Sequence, residues 1–328
     1  MINICQFGAG RIGAIHAGNI ARHPDARLKI VVDVDRAAAE SLAGRYSAAA
    51  GDEAAALADP AVDAVVIASA TDTHAALVEA ASRAGKAVFC EKPLDLDLGR
   101  AKACLAVTRQ CGVPLMLGFN RRFDPSFARL ERQIREGRIG RLELLTITSR
   151  DPAPPPIEYV RRSGGMFRDM MIHDFDMARW LAGEEPVEVF AAAGVLVDPA
   201  IGEAGDVDTA VVTLRMQSGA LCQISNSRRA VYGYDQRIEA FGSKGALHAG
   251  NVAESTVAFA GSDGIVGAKP LYFFLERYAE AYRLELDHFI GAIGNRTAPL
   301  VGGVDGVKAL ALADAALASL ETGRAVAV

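Results

Sequence analysis

The stretch from Ile4 to Asp33 constrains the fold more than any other part of the chain. It runs Ile4-Cys5-Gln6-Phe7, then Gly8-Ala9-Gly10-Arg11-Ile12-Gly13, then a helical segment, then Leu28-Lys29-Ile30-Val31-Val32-Asp33. A short apolar strand enters a G-x-G-x-x-G turn, a helix leaves it, and a second strand ends on an acid 20 residues after the last glycine. Gly8 permits the tight turn, Gly10 lets the backbone approach a pyrophosphate, and Gly13 lets the helix pack closely on the strand. Unpaired N–H groups and the dipole at the helix start would hold the phosphates. Three glycines alone would only mark a turn. Strand, turn, helix, strand and acid in this order predict a dinucleotide site. Asp33 would accept the ribose hydroxyls and repel a 2′-phosphate, which favours NAD over NADP, with Arg36 placed to soften the preference.

Further along, strands and helices alternate. Val62–Ile67, Ala87–Cys90 and Pro114–Gly118 read as strands, and His74–Ala84 and Leu98–Gln110 as helices. That rhythm predicts a parallel sheet with right-handed crossovers, whose ligands sit at the carboxyl ends of the strands. The grammar changes near Asn120. After helices at Phe123–Gly137 and Gly165–Leu181, strand follows strand through 187–259, which predicts a largely antiparallel open sheet. The expected organisation is an α/β Rossmann domain over 1–119 and an α+β substrate-binding and oligomerisation domain over 120–328.

A net charge of −5 gives no general attraction to nucleic acid, and no apolar run is long enough to span a bilayer. Five scattered cysteines without a C-x-x-C suit a reducing, cytoplasmic setting.

Two places carry candidate chemistry. Lys92 stands at a strand's carboxyl end within Glu91-Lys92-Pro93, on the expected cofactor side. Most lysines are solvated surface groups, and this position argues for more. In Phe167–Trp180, Asp169, His173, Asp176 and Trp180 fall at offsets 0, 4, 7 and 11, one face of a helix that is otherwise apolar. A buried Asp and His one turn apart need partners. They read equally as a self-satisfied pair or as an acid–base pair; a metal site lacks a third ligand pattern. Oxidation of an alcohol needs a base for the hydroxyl proton and a cation for the developing alkoxide. His173 and Lys92 would supply them, with Asp169 orienting the imidazole.

Taken together, Gly8–Gly13, Thr71-Asp72-Thr73-His74, Glu91-Lys92-Pro93, Gly118–Asp124 and Asp169-x-x-x-His173-Asp174-x-Asp176 resemble the glucose–fructose oxidoreductase/inositol dehydrogenase/rhizopine-catabolism family over nearly the whole chain. Ser149–Pro152, Gly164–Asp169 and Tyr232–Arg237 are similar to its bacterial inositol 2-dehydrogenases. The resemblance implies NAD-dependent oxidation of an inositol to an inosose, with Lys92, Asp169 and His173 as the catalytic set and no metal. It places Gly8, Gly10, Arg11, Ile12, Gly13, Asp33, Thr71, His74, Glu91 and Lys92 along the cofactor. It makes Arg122, Asp151, Asp176 and Tyr234 candidate contacts to a polyol, beside Lys92, Asp169 and His173. It also implies a homo-oligomer, commonly a tetramer. Another polyol or sugar dehydrogenase of the family fits the same motifs. A dinucleotide-binding sensor fits less well, because a sensor needs no acid–base pair.

Overall fold

The computed structural model describes residues 1–328. The chain begins β1 (Ile2–Phe7), α1 (Arg11–Arg22), β2 (Ala26–Val32), α2 (Arg36–Arg45), β3 (Ala49–Ala50), α3 (Glu53–Ala58), β4 (Ala64–Ile67), α4 (Thr71–Arg83), β5 (Ala87–Cys90), α5 (Leu98–Cys111) and β6 (Leu115–Leu117). It continues with α6 (Pro125–Arg135), β7 (Leu142–Arg150), α7 (Ile157–Ser163), α8 (Ile172–Ala182), β8 (Pro186–Gly194), α9 (Pro199–Glu203), β9 (Thr209–Met216), β10 (Leu221–Ser227), β11 (Asp235–Gly242) and β12 (Gly245–Ala249). A hairpin, β13 (Ala258–Gly261) and β14 (Gly264–Gly267), precedes α10 (Phe274–Arg277), α11 (Ala279–Asn295), α12 (Gly303–Thr322) and β15 (Val326–Ala327).

The chain forms two compact units, Met1–Phe123 with Ala281–Leu310 and Asp124–Glu280 with Ala311–Val328. Besides the expected Rossmann stretch over 1–119, the first unit takes in residues 281–310. α11 and the start of α12 return to the first unit because apolar packing and backbone bonds hold them there. The Phe289 ring meets Phe89 edge-on at 5.7 Å, and the Leu117 N–H donates to the Val301 carbonyl at 3.3 Å.

The first unit is the expected parallel sheet, in the order β3-β2-β1-β4-β5-β6. Its central strands β4 and β5 are buried at every residue, as strands covered on both faces must be. The order reverses between β1 and β4, which opens a crevice at their carboxyl ends. Asp35, Asp52 and Asp97 cap α2, α3 and α5 through side-chain oxygens, whereas α1 and α4, which follow β1 and β4, have no side-chain cap.

The second unit holds a seven-stranded sheet, β12-β11-β7-β10-β9-β8-β15. It is mixed: β10 runs parallel to β7, and the other pairings are antiparallel. The chain between β7 and β10 is a long excursion through helices and two strands, so it can re-enter in the same direction. Burial alternates along β7, β9 and β10; Leu145, Ile147, Val212, Leu214, Cys222 and Ile224 point inward. No helix is long and apolar enough to cross a membrane.

Candidate active site

The glycine turn is built as its spacing requires. Gly8 has φ +101°, and a Cβ there would lie 2.3 Å from the Ala68 carbonyl oxygen, in the turn after β4. A Cβ on Gly13 would lie 2.2 Å from the Gly8 oxygen, so only glycine lets α1 sit this close to β1. A Cβ on Gly10 would meet nothing within 4 Å. Gly10 is the N-cap of α1, and the open space over it is the cradle a pyrophosphate needs. Arg11 and Ile12 begin the helix beside it, Arg11 exposed and Ile12 half-buried. The Asp33 carboxylate accepts from the Ala9 N–H at 2.6 Å and the Asp35 N–H at 2.8 Å. These bonds set the acid against the glycine turn.

Gln6 is a working residue that the sequence reading passed over. It is fully buried, and its Nε2 donates at 2.8 Å to both the Gly8 and the Gly13 carbonyl. One side chain thus ties the strand exit to the first turn of α1. An amide inside an apolar strand, two residues before the first glycine, was the available signal.

The remaining cofactor candidates lie on α4 and at the end of β5. α4 begins at Thr71, not His74, so both residues lie in its first turn rather than in the preceding loop. His74 is buried; its Nδ1 faces the Pro93 carbonyl at 2.8 Å and its Nε2 the Ser69 carbonyl at 3.2 Å. Burial is the largest influence on this imidazole and lowers its pKa; a neutral ring donates to only one of those carbonyls. His74 thus ties the first turn of α4 to the segment carrying Lys92. Glu91 also turns inward. Its Oε1 pairs with His16 Nε2 at 2.7 Å, close to the fully buried Glu285. Burial above all, and then the charge of Glu91, holds the Glu285 carboxyl well above the usual carboxylate range. Lys92 itself is half-buried at the carboxyl end of β5, joined to Pro93 by a cis peptide bond.

Arg122 is buried within the same unit, where its Nη2 donates to Asp305 Oδ1 at 2.9 Å. That bond gives the buried guanidinium a carboxylate partner. Asp124 pairs with Arg277.

In the second unit the long helix expected over 165–181 is interrupted. Gly164 and Gly165 both have positive φ, Met166–Met170 form a π turn, and α8 starts at Ile172. The Asp206 Oδ1 accepts the Met166 N–H at 3.0 Å and fixes where the turn begins. The Met171 N–H reaches the Met166 carbonyl at 2.8 Å, five residues back. Asp169 lies in that turn and His173 in the first turn of α8, so the single-face spacing of an unbroken helix does not apply. Such turns concentrate at functional sites.

Asp169 stands among polar groups from several elements. The Tyr159 hydroxyl, on α7, donates to its Oδ1 at 2.9 Å. Arg228, just after β10, lies with Nη2 3.6 Å from Asp169 Oδ2 and Nη1 3.6 Å from Asp151 Oδ2. Burial, and then the Asp169 charge, push the Tyr159 hydroxyl pKa up, so it remains a donor. The structure thus brings Asp151 and Asp169 together, 18 residues apart in the sequence, around one arginine. Asp176 is buried with its Oδ1 3.9 Å from Arg179 Nη1. Tyr234 is buried edge-on to Tyr278 at 5.9 Å. Asp174, part of the Asp169–Asp176 motif but given no role there, is the structural acid of α8: it accepts from Ser149 at 2.6 Å and Asn226 at 2.9 Å. Tyr159 and Arg228 also escaped notice. A run of prolines hid α7, and an arginine after a strand looks like surface.

Residues 2–119 match the model of an oxidoreductase family with an NAD-binding Rossmann fold, and residues 127–248 match the GFO/IDH/MocA C-terminal domain. The chain is 53% identical over 323 residues, 98% of each protein, to an inositol 2-dehydrogenase of Rhizobium meliloti. It is 52% identical over 327 residues to a myo-inositol 2-dehydrogenase of Thermotoga maritima, covering 99% of this chain and 98% of that one. A scyllo-inositol dehydrogenase from Lactobacillus casei, solved with NAD(H) and scyllo-inositol bound, superposes with a TM-score of 0.92 at 31% identity, over 100% of this chain and 99% of that one.

Proposed function

The chain belongs to the GFO/IDH/MocA oxidoreductase family, and we propose that it oxidises myo-inositol with NAD, converting one ring hydroxyl to the ketone of an inosose. NAD, when bound, accepts the hydride. Gly8, Gly10 and Gly13 would hold its pyrophosphate at the start of α1, and Asp33 its ribose. What supports the inositol reading most is identity above 50% over nearly the full chain to two inositol 2-dehydrogenases, with Lys92, Asp169 and His173 all in place.

In this reading the neutral His173 imidazole takes the hydroxyl proton. The Asp169 carboxylate orients that ring and stabilises the imidazolium that results. The Lys92 ammonium stabilises the developing alkoxide. Asp151 offers carboxylate acceptors to other ring hydroxyls. Arg122, Asp176 and Tyr234 are further candidates for contacts to ring hydroxyls, and Thr71, His74 and Glu91 for the cofactor side.

The outer face of the second unit's sheet supports a homo-oligomer. Register sets Phe241, Leu144 and Leu221 side by side across three strands, and all three are exposed. Pairing with the same face of another copy, in a tetramer, would cover this row. A monomer at micromolar concentration by light scattering would refute it. A cytoplasmic setting suits five unpaired cysteines, four of them buried.

The decisive assay is NADH formation with a panel of inositol isomers and sugars. Myo-inositol should give the highest kcat/KM. Preference for scyllo-inositol, the ligand of the Lactobacillus casei relative, or for a pyranose would replace the substrate and keep the chemistry. No turnover with any polyol would overturn the enzyme assignment.

A further inference from the structure

Arg228 is the bulkiest fully buried side chain in the protein, only 2% exposed. A buried guanidinium costs several kcal/mol unless its charge is compensated. Here the compensation comes from two carboxylates that the chain carries to it separately, Asp151 from the end of β7 and Asp169 from the π turn. Its own position is set by its backbone, whose N–H donates to the Asp208 carbonyl at 2.9 Å. Its Nε and Nη2 make no hydrogen bond, and both carboxylates stand 3.6 Å away, inside ion-pair range and outside hydrogen-bond range. Arg228 therefore acts on them through its charge rather than through a bidentate bond. Tyr159, which also meets Asp169, contributes a neutral hydroxyl.

The geometry points to Arg228 as a positioning residue for the reaction. At 2% exposure it would act through its neighbours rather than on a ligand. It holds Asp169 where that carboxylate can orient His173, and holds Asp151 alongside as a second set of acceptors for a hydroxyl-rich, uncharged substrate. The inference rests on the reading of Asp169 and His173 as the acid–base pair. Remove the cation, and two carboxylates repel one another across the space it filled; they turn toward solvent, and the imidazole loses its orientation. Misplacement of about 1 Å is enough to cost on the order of 10²-fold in rate.

The test is a cycle of Arg228→Met, Arg228→Lys, Asp169→Asn and the double variant Asp169→Asn/Arg228→Met. It is followed by steady-state kinetics with myo-inositol, NAD affinity from fluorescence titration, and thermal unfolding. Arg228→Met should lose on the order of 10²-fold in kcat/KM, mostly in kcat, with NAD affinity unchanged. Arg228→Lys, which keeps the charge, should recover at least about tenfold of that loss, because no bidentate geometry is forfeited. In the Asp169→Asn background, Arg228→Met should cost less than about threefold, since the two act as a unit. A folded Arg228→Met enzyme with wild-type kcat/KM overturns the inference, as does an undiminished loss in the Asp169→Asn background. Should Arg228→Met fail to fold, Arg228→Gln takes its place in the cycle with the same expectations. A wild type that turns over no polyol overturns the proposed function and this role together. A wild type that turns over while Arg228→Met is indifferent sinks the positioning role alone.

Discussion

The glycine turn and the Asp169 cluster are built from opposite materials. Around Gly8–Gly13 the working groups are main-chain N–H and C=O, and side chains serve chiefly by being absent: two glycines are forced by carbonyls within 2.3 Å of where a Cβ would sit. Around Asp169 the working groups are charged or polar side chains from four separate segments, Asp151, Tyr159, Asp169 and Arg228. Backbone geometry is a local property, so the first region is encoded in one continuous stretch. A charge cluster needs only that its members meet, so the second is scattered over the chain and assembled by the sheet. A third region sharpens the lesson. His16, Glu91 and Glu285 gather two carboxylates without an arginine, and there a carboxyl is driven to keep its proton. Around Arg228 the countercharge is supplied.

The largest effects should come from the side-chain groups. His173→Ala should lose on the order of 10²–10⁴-fold in kcat/KM and with it the acid limb of the pH–rate profile for oxidation, while NAD affinity stays. A retained limb and rate would shift the role of base to another group. Lys92→Ala should cost on the order of 10²-fold in kcat, again with NAD bound normally; a folded variant with near-normal kcat removes Lys92 from the chemistry.

Backbone-type positions should respond differently. Gly13→Ala drives a Cβ against the Gly8 carbonyl and should cost about 1–3 kcal/mol of stability together with NAD affinity. Gly10→Ala, with open space around it, should leave the Tm unchanged and weaken NAD binding alone. Equal loss of Tm in both variants would break the contrast drawn here. Asp33→Ser should raise the use of NADP relative to NAD, read as the ratio of kcat/KM values, because the carboxylate that repels a 2′-phosphate is gone. An unchanged ratio would point to another determinant.

The smallest signal belongs to Glu285. Its raised pKa means that the native protein keeps a proton that the unfolded chain releases above the ordinary value of 4.5. The stability this group allows is full below that value and is lost as pH rises toward the folded pKa. Glu285→Gln stays neutral throughout, so its Tm relative to the wild type should rise as pH climbs above the ordinary value of 4.5. A difference independent of pH would contradict the assignment.

By itself the sequence determined the parallel sheet, the glycine turn with Asp33 and the strand-rich second half. Each is legible because it rests on a local rule: alternation of apolar runs, the steric demands of glycine, or a motif a few residues long. Tertiary structure decided the rest. The helix over 165–181 reads as continuous, yet Gly164, Gly165 and the Asp206 carboxylate start it with a π turn, and Asp206 lies 40 residues from the Met166 N–H it accepts. Residues 281–310 join the first unit through the faces of α11 and α12. His16 pairs with Glu91, and the Pro93 carbonyl meets His74, contacts that no motif announces. Arg228 sits beside Asp151 only because β10 runs parallel to β7, with the Asp151 N–H bonded to the Ser227 carbonyl at 3.0 Å. Sheet register brings together charges that no local pattern connects, and burial then sets which of them must pair.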